Sequence, residues 1–210
     1  MSRVVAIFDV DQTLVQGHTE RFFFRYLVRQ RLISVSQALV FLSQLARRPQ
    51  GRFQDKSYLS GLEVEEVARQ AGRCYQEKIA PRVSSEGLAC VVEHQTRGHA
   101  IALLSGSLAV LLTPLKKDLG ADWLIATELE RLNGKFTGQI AGLHPRGLNK
   151  LFLLQDLSHI HGFDLSRSYA YGDHIQDAHI FRCIGNPVVV NPSWRLKLQA
   201  RKHRWPIRYF

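Results

Sequence analysis

Two different spacings of apolar residues divide the chain. Residues 4–8 form a short β-branched and aromatic run, which is typical of a buried strand. Residues 22–45 instead place apolar side chains at helical spacing until the tripeptide Pro-Gln-Gly at 49–51 interrupts the pattern, and a further helical pattern covers about 63–80. Because no convincing strand lies in this part of the chain, we predict a helical insertion over residues 16–82.

Beyond residue 83, strand patterns and helix patterns alternate. Such alternation predicts a mostly parallel sheet with right-handed crossovers. Residues 127–141 are predicted to form a β-hairpin around Asn133-Gly134, the favoured pair for a type I′ turn. Other predicted strands cover about 100–104, 123–126, 168–171, 188–191 and 206–210, and predicted helices cover about 84–97, 108–119 and a stretch from 149. We therefore predict an α/β fold in which residues 1–15 and 83–210 build a doubly wound, mostly parallel sheet and residues 16–82 an all-helical appendage.

The composition supports a packed globular protein. The chain has 210 residues, of which 45% are hydrophobic, enough for one α/β domain and a smaller appendage. No apolar run approaches the roughly 20 residues of a membrane span. The first apolar run stops at Asp9, too early for a secretory signal peptide.

The cysteines point to a reducing compartment. Cys74, Cys90 and Cys183 are widely spaced and form no CxxC pair. This spacing favours reduced thiols and argues against a disulfide framework or a zinc site. We therefore expect a cytoplasmic protein.

Positive charge is concentrated in two segments. The formal net charge is +10, and residues 16–85 hold 12 basic against 6 acidic residues, while residues 194–210 hold 6 basic residues and no acid. Arg21, Arg25 and Arg29 have the spacing of a solvated helix face, and most single arginines are interpreted in this way. The total charge still suggests an anionic partner.

Two carboxylates follow the first predicted strand. Asp9 and Asp11 are two residues apart, so an extended chain points both toward one site. In doubly wound sheets, ligands bind beyond the carboxyl ends of the strands. A turn or a helix cap built by Asp11 and Thr13 is the alternative interpretation, because these residue types also favour such structures.

Further polar residues follow the other predicted strands. They are Ser105 with Gly106, Lys150 at a predicted helix start, and Asp173 with Asp177, which would share one face of a helix starting there. Four neighbouring acids would repel one another and raise each other's pKa values. A hard cation such as Mg²⁺ relieves this repulsion and prefers carboxylate, carbonyl, water and phosphate oxygens. Ser105, the Gly106 amide and Lys150 would supply donors to phosphate oxygens.

Together these segments resemble a known family. FDVDQT, LLSGS, the isolated Lys150 and YGDHIQD are similar, in order, spacing and context, to the four motifs of the haloacid dehalogenase-type phosphatases. The helical insertion resembles the C1 cap of that family, and the hairpin resembles the flap of its phosphoserine-phosphatase-like branch. The segments 125–130 and 190–206 resemble a bacterial hydrolase subfamily of that branch. The resemblance covers essentially the whole chain and implies a Rossmann-like core with a helical cap.

The resemblance also implies a mechanism. Asp9 would attack phosphorus and form an aspartyl-phosphate, and Asp11 would act as general acid and then as general base. Mg²⁺ would be held by Asp9, the Asp11 carbonyl and Asp173, with Asp177 orienting Asp173 or a metal-bound water. The implied phosphate-binding residues are Thr13, Ser105, Gly106 and Lys150.

The substrate is not determined by these motifs. His18 stands where phosphoserine phosphatases carry a Glu that holds the substrate ammonium, and Glu20 is expected to face elsewhere, which weakens the case for phosphoserine. Gln12 departs from the usual small residue, with little expected effect.

Three functions stay open. The first is a Mg²⁺-dependent phosphomonoesterase acting on a small phosphorylated metabolite or a lipid head group. The second is a phosphotransferase using the same intermediate. The third is a basic binding protein for nucleic acid or an anionic membrane, through the cap and the segment 194–210. No nucleic-acid-binding motif is present, so nucleic acid is not an expected partner, whereas weak association with an anionic membrane surface stays open.

Overall fold

The computed structural model describes residues 3–47 and 56–210. Its strands are β1 (Val5–Phe8), β2 (Ala100–Leu108), β3 (Trp123–Leu132), β4 (Lys135–Ala141), β5 (Tyr169–Gly172), β6 (Asn186–Val190) and β7 (Ile207–Arg208). Its helices are α1 (Thr19–Arg29), α2 (Val35–Arg47), α3 (Val64–Cys74), α4 (Ser85–Thr96), α5 (Ala109–Asp118), α6 (Leu148–His161), α7 (Ala178–Phe181) and α8 (Trp194–His203). None of these helices has the length and apolar character needed to cross a bilayer.

The strands form one sheet in the order β4-β3-β2-β1-β5-β6-β7, and only β4 runs antiparallel to its neighbour. Strand β1 lies at the centre, with Ile7 paired to Ala102 on one side and to Ala170 on the other. The chain therefore winds outward in both directions from β1. The predicted α/β, doubly wound and mostly parallel sheet is confirmed, and its switch point lies at the carboxyl end of β1.

Apolar residues cover both faces of the sheet. On one face, Phe8 and Leu103 belong to a cluster that includes buried residues of α4, α5 and the helices between β1 and α4. On the other face, Ile7 and Leu104 pack with buried residues of α6, α7 and α8. Alternate residues of β1 thus enter opposite cores, as expected for a strand buried on both sides.

Helices α1, α2 and α3 lie in the segment 16–82 that is predicted to be the cap, and we refer to this segment as the cap. Helix α3 continues into a π-helical turn, Tyr75–Ile79, and a 3₁₀ turn, Ala80–Arg82, before the chain returns to the sheet. The segment that enters the cap lies beside the segment that leaves it, since the Gln16 amide donates to the Arg82 carbonyl at 2.9 Å. This pairing supports the predicted boundaries at 15/16 and 82/83, which stay a prediction. The predicted break at 49–51 lies outside the described residues.

The hairpin of β3 and β4 turns at Asn133 and Gly134, as predicted. Both residues have positive φ values, 51° and 77°, which a type I′ turn requires. The hairpin also contacts the cap, since the Gly61 amide donates to the Phe136 carbonyl at 2.8 Å and the Phe136 amide donates to the Leu62 carbonyl at 3.0 Å. Cap and hairpin are therefore joined by main-chain hydrogen bonds.

The last segment differs from its prediction. Residues 194–203 form helix α8, which the sequence analysis did not predict, and the predicted strand at 206–210 shortens to β7. Only Leu196 and Ala200 of α8 are buried. With so few core contacts and many basic residues, the segment lacks the apolar stripe by which helices are identified from sequence.

Candidate active site

Lys150 joins two of the sequence-predicted acids. Its Nζ donates to Asp9 Oδ1 at 2.8 Å and to Asp177 Oδ1 at 2.9 Å. Asp9 follows β1 directly, and its amide donates to the Tyr171 carbonyl of β5 at 2.9 Å. Lys150 projects from the first turn of α6 and is 7% exposed. The central strand and a helix behind the sheet therefore place a buried ammonium between two carboxylates.

A third carboxylate completes this group. Oxygen atoms of Asp9, Asp173 and Asp177 all lie within 4.8 Å of one another. Asp173 follows β5, and His174 then caps the 3₁₀ turn Ile175–Asp177. The predicted sharing of a helix face by Asp173 and Asp177 is thus replaced by a turn that brings Asp177 back, with its Oδ2 accepting from the His174 amide at 3.1 Å.

Gly172 is required by this turn. A Cβ atom at position 172 would lie 2.7 Å from Asp177 Oδ2 and 2.9 Å from its Cγ. Asp177 has little freedom to retreat, because Lys150 and the His174 amide hold its two oxygens. The close approach of β5 to the Asp177 carboxylate therefore depends on a residue without a side chain.

The electrostatics of the group favour a bound cation. Burial raises the pKa of Asp9 to about 6, against the lowering effect of Lys150. Burial, with the nearby carboxylates of Asp9 and Asp177, raises the pKa of Asp173 to about 9. Burial alone would lower the pKa of Lys150, but the carboxylates of Asp177 and Asp9 raise it, so the ammonium stays charged. One ammonium does not satisfy three carboxylates, and the all-oxygen donor set fits Mg²⁺.

Asp11 points to different partners. Its Oδ1 accepts from the Thr19 amide and its Oδ2 from Ser107 Oγ, both at 2.9 Å, while Thr19 Oγ1 donates to Ser107 Oγ at 2.9 Å. Thr19 is the first residue of α1, so the carboxylate faces the positive end of a cap helix. The Asp11 side chain therefore lies apart from the three-carboxylate group, which leaves its predicted metal contact to its main-chain carbonyl.

The predicted phosphate-binding residues lie around the same sheet edge. The pairing of β2 with β3 shifts register between Leu104 and Leu108, and Ser105 and Gly106 occupy this irregular stretch. Ser105 is buried, and its Oγ accepts from the Ser107 amide at 3.2 Å. Thr13 Oγ1 is buried without a hydrogen-bond partner among the described residues. Their roles toward phosphate stay predictions.

A histidine and a threonine to which the sequence analysis assigned no role support this irregular stretch of β2. Thr127 Oγ1 donates to the Gly106 carbonyl at 2.7 Å and therefore accepts from His144 Nδ1 at 2.8 Å. Burial, with Lys56, Arg146 and Lys150 nearby, lowers the pKa of His144 to about 4, so its ring is neutral. No local sequence pattern indicated these residues, because the contact depends on how the hairpin folds over the sheet.

The cap places an ion pair beside this network. Lys56 Nζ lies 2.5 Å and 2.7 Å from the two carboxylate oxygens of Glu20, and Tyr58 Oη donates to Glu20 Oε1 at 3.1 Å. His18 is exposed and forms the N-cap of α1. The Glu20 carboxylate thus pairs with two other residues of the cap, Lys56 and Tyr58.

A sequence model of the haloacid dehalogenase-like hydrolase family matches residues 6–182. The chain belongs to this family. It is 30% identical to the "Inhibition of morphological differentiation protein" of Streptomyces azureus, over 100% of this chain and 79% of that one. It is 28% identical to phosphoserine phosphatase SerB1 of Mycobacterium tuberculosis, over 98% of this chain and 70% of the other. It is 27% identical to a histidinol-phosphatase of Neisseria meningitidis, over 98% of both.

Solved structures share the fold of this haloacid dehalogenase-like hydrolase. A protein of unknown function from Bordetella pertussis superposes with a TM-score of 0.88 at 23% identity, covering 99% of this chain and 98% of the other. A substrate-bound phosphoserine phosphatase superposes with a TM-score of 0.68 at 23% identity, covering 95% of this chain and 91% of the other. The predicted membership of the phosphoserine-phosphatase-like branch and the predicted phosphatase class are confirmed.

Proposed function

We propose that this phosphatase is a Mg²⁺-dependent phosphomonoester hydrolase that works through an aspartyl-phosphate on Asp9. The observation that supports this most is the three-carboxylate group of Asp9, Asp173 and Asp177 with Lys150 between two of its members. Such a site offers a nucleophile, oxygen ligands for a hard cation and a fixed positive charge at one edge of the sheet. These are the parts that phosphoryl transfer requires.

Asp9 is the nucleophile in this proposal. With a pKa raised to about 6, its carboxyl is still ionised at neutral pH. One of its oxygens forms a bond to phosphorus while the bond to the ester oxygen breaks, and the phosphoryl group remains on Asp9. Bound Mg²⁺, held by Asp9, Asp173 and the Asp11 carbonyl, would neutralise charge between the two anionic partners. Lys150 orients Asp9, and Asp177 orients Lys150 in turn.

Asp11 is the general acid and general base in this proposal. It protonates the departing ester oxygen in the first step and takes a proton from the attacking water in the second, when the bond between Asp9 and phosphorus breaks. The Thr19 amide and Ser107 Oγ hold its carboxylate in one orientation. Ser105, the Gly106 amide and the Thr13 hydroxyl position the phosphoryl oxygens.

The proposed substrates are small phosphorylated metabolites or phosphorylated lipid head groups. Two relatives carry the names phosphoserine phosphatase and histidinol-phosphatase, and both names denote phosphomonoesters of small alcohols. The exposed His18 still argues against recognition of a substrate ammonium at that position.

The test is a phosphate-release screen with and without Mg²⁺, across phosphoserine, histidinol phosphate, sugar phosphates, nucleotides and lysophospholipids. Asp9→Asn serves as the blank, and Asp156→Asn, an exposed acid on α6, as the matched control. We expect Mg²⁺-dependent release by the wild type and by Asp156→Asn, and a loss of about 10⁴-fold or more for Asp9→Asn. Near-normal rates in a folded Asp9→Asn protein would refute the covalent mechanism. Transfer to added alcohols in place of water would show a phosphotransferase.

A further inference from the structure

The outward side of helix α8 combines apolar and basic side chains. Leu196 and Ala200 are buried against the sheet. On the opposite side, Trp194 is 68% exposed and Leu198, one turn later, is 56% exposed. Exposed basic residues flank Leu198 within one helical turn. We refer to these five residues as the α8 face: Trp194, Arg195, Leu198, Arg201 and Lys202.

The positive charge of this region is uncompensated. Residues 194–210 contain six basic and no acidic residues. None of the six lies within ion-pairing distance of a carboxylate in the part of the chain that the structure describes, whereas Lys56, Lys135 and Lys150 are all paired. The region therefore carries a positive potential that complements an anionic surface.

The apolar residues distinguish a bilayer from a polynucleotide. A nucleic-acid duplex presents its phosphates to arginine and lysine but keeps the faces of its bases stacked inside, so it offers little to Trp194 and Leu198 at the centre of the face. A bilayer interface accepts both kinds of group, because apolar side chains enter the boundary of the acyl chains while basic side chains reach the lipid phosphates. The Arg195 guanidinium already lies 5.2 Å from the centre of the Trp194 ring, so the cation and the ring approach a surface together.

The start of α8 lies at the catalytic edge of the sheet. Strand β6 ends at Val190, and the next residue, Asn191, donates from Nδ2 to the Gln12 carbonyl at 3.0 Å. Gln12 adjoins Asp11, and Trp194 follows Asn191 by three residues. The exposed tryptophan therefore marks the end of the helix that is nearest to the candidate active site.

We propose that the α8 face docks on the surface of an anionic phospholipid bilayer. Docking would keep the catalytic edge of the sheet close to the lipid head groups. The inference does not depend on the proposed chemistry, because none of the five residues belongs to the candidate active site.

The test measures binding to vesicles of phosphatidylcholine alone and of phosphatidylcholine with phosphatidylserine, by sedimentation and by the emission of the three tryptophans of the chain. We expect binding to the anionic vesicles only, with a blue shift of emission that Trp194→Phe removes. Arg201→Gln with Lys202→Gln should weaken binding about 30-fold. The matched control, Lys116→Gln with Lys117→Gln on α5, removes the same charge and should bind as the wild type. Trp194→Ala with Leu198→Ser should weaken binding about tenfold or more.

Three results would overturn the proposal. The first is an absence of binding to anionic vesicles at low salt. The second is an equal loss in the α8 and α5 charge variants, which would indicate attraction by net charge alone. The third is unchanged vesicle binding in Trp194→Ala with Leu198→Ser, together with a wild-type affinity for a DNA duplex that equals its affinity for anionic vesicles. This result would indicate a surface that binds any polyanion. Circular dichroism and, where a substrate is known, turnover confirm that each variant is folded.

Discussion

The main-chain amide of Thr19 donates a hydrogen bond to Asp11 Oδ1 at 2.9 Å, which ties the first residue of the cap helix to the proposed general acid. Ser107 Oγ holds the other oxygen of Asp11 and accepts from Thr19 Oγ1. The orientation of the acid thus depends on the cap and on the last residues of β2 together. A displacement of α1 relative to the sheet would therefore change the orientation of the Asp11 carboxylate.

Ser107→Ala is expected to impair proton transfer. The variant removes the donor to Asp11 Oδ2, and hydrogen bonds to charged groups contribute about 1.5–3 kcal/mol. We therefore expect kcat/KM for an alkyl phosphate, which reports the transfer from the substrate to Asp9, to fall about 10- to 100-fold. The loss should be smaller for p-nitrophenyl phosphate, whose leaving group needs no acid. Ser158→Ala, which removes a buried hydroxyl bonded to the Phe163 carbonyl, is the control. An equal loss on both substrates would contradict a role through the acid.

Thr127→Val is expected to weaken phosphate binding. It leaves the Gly106 carbonyl and His144 Nδ1 without their shared partner, and unpaired buried polar groups cost about 1–3 kcal/mol each. The inhibition constant of inorganic phosphate should rise about tenfold, because the Gly106 peptide loses its orientation. Thr127→Ser keeps the hydroxyl and should bind phosphate like the wild type. If Val and Ser variants bind phosphate equally well, the hydroxyl has no such role.

Gly172→Ala is expected to disrupt the carboxylate group. Its Cβ would come within 2.7 Å of Asp177 Oδ2, which Lys150 and His174 hold in place, so we expect a loss of about 1–3 kcal/mol in unfolding free energy and weaker Mg²⁺ affinity. Gly72→Ala is the control, since a Cβ there meets no atom within 4 Å and the residue lies inside α3. It should stabilise the protein by up to about 1 kcal/mol. Denaturant titration and Mg²⁺ titration of both variants test this, and a Gly172→Ala protein as stable as Gly72→Ala would disprove the steric argument.

A buried histidine predicts loss of stability in acid. Burial lowers the pKa of His94 to about 4 from 6.5, and its ring nitrogens contact Tyr171 Oη and His99 Nδ1, each at 2.8 Å. The unfolded chain therefore binds a proton that the folded protein excludes between these pH values, so the unfolding free energy is highest above pH 6.5 and falls toward pH 4. His94 alone accounts for a decrease of about 3 kcal/mol in the unfolding free energy over this pH interval.

The comparison of His94→Gln with the wild type isolates this contribution. Urea unfolding gives the unfolding free energy at about pH 7.5 and at about pH 5. The decrease in this free energy between the two pH values should be smaller by about 2 kcal/mol in the variant than in the wild type, because glutamine does not titrate. His159→Gln, at an exposed position on α6, should retain the full drop. Identical pH dependence in all three proteins would exclude His94 as the cause.

The elements that carry the candidate site were predictable from local patterns. The run at 4–8 identified β1, and the pair Asn133-Gly134 identified the hairpin, because strand burial and a type I′ turn each depend on a few neighbouring residues. Polar residues after parallel strands were expected to meet at one edge, and Asp9, Asp173 and Asp177 do so. Helix α8 escaped prediction because its apolar residues are few and face both inward and outward.

The sequence by itself determined which residues stand at the strand ends and which chemistry they suit. Only the tertiary structure decided how they pair. Lys150 is 141 residues from Asp9 along the chain, and Ser107 is 96 residues from Asp11. Contacts over such separations arise from the packing of helices on the sheet and of the cap on the core, and no local pattern encodes them. The physical reason is that hydrophobic periodicity specifies how an element is buried, whereas the partner of each polar side chain depends on where the other elements come to rest.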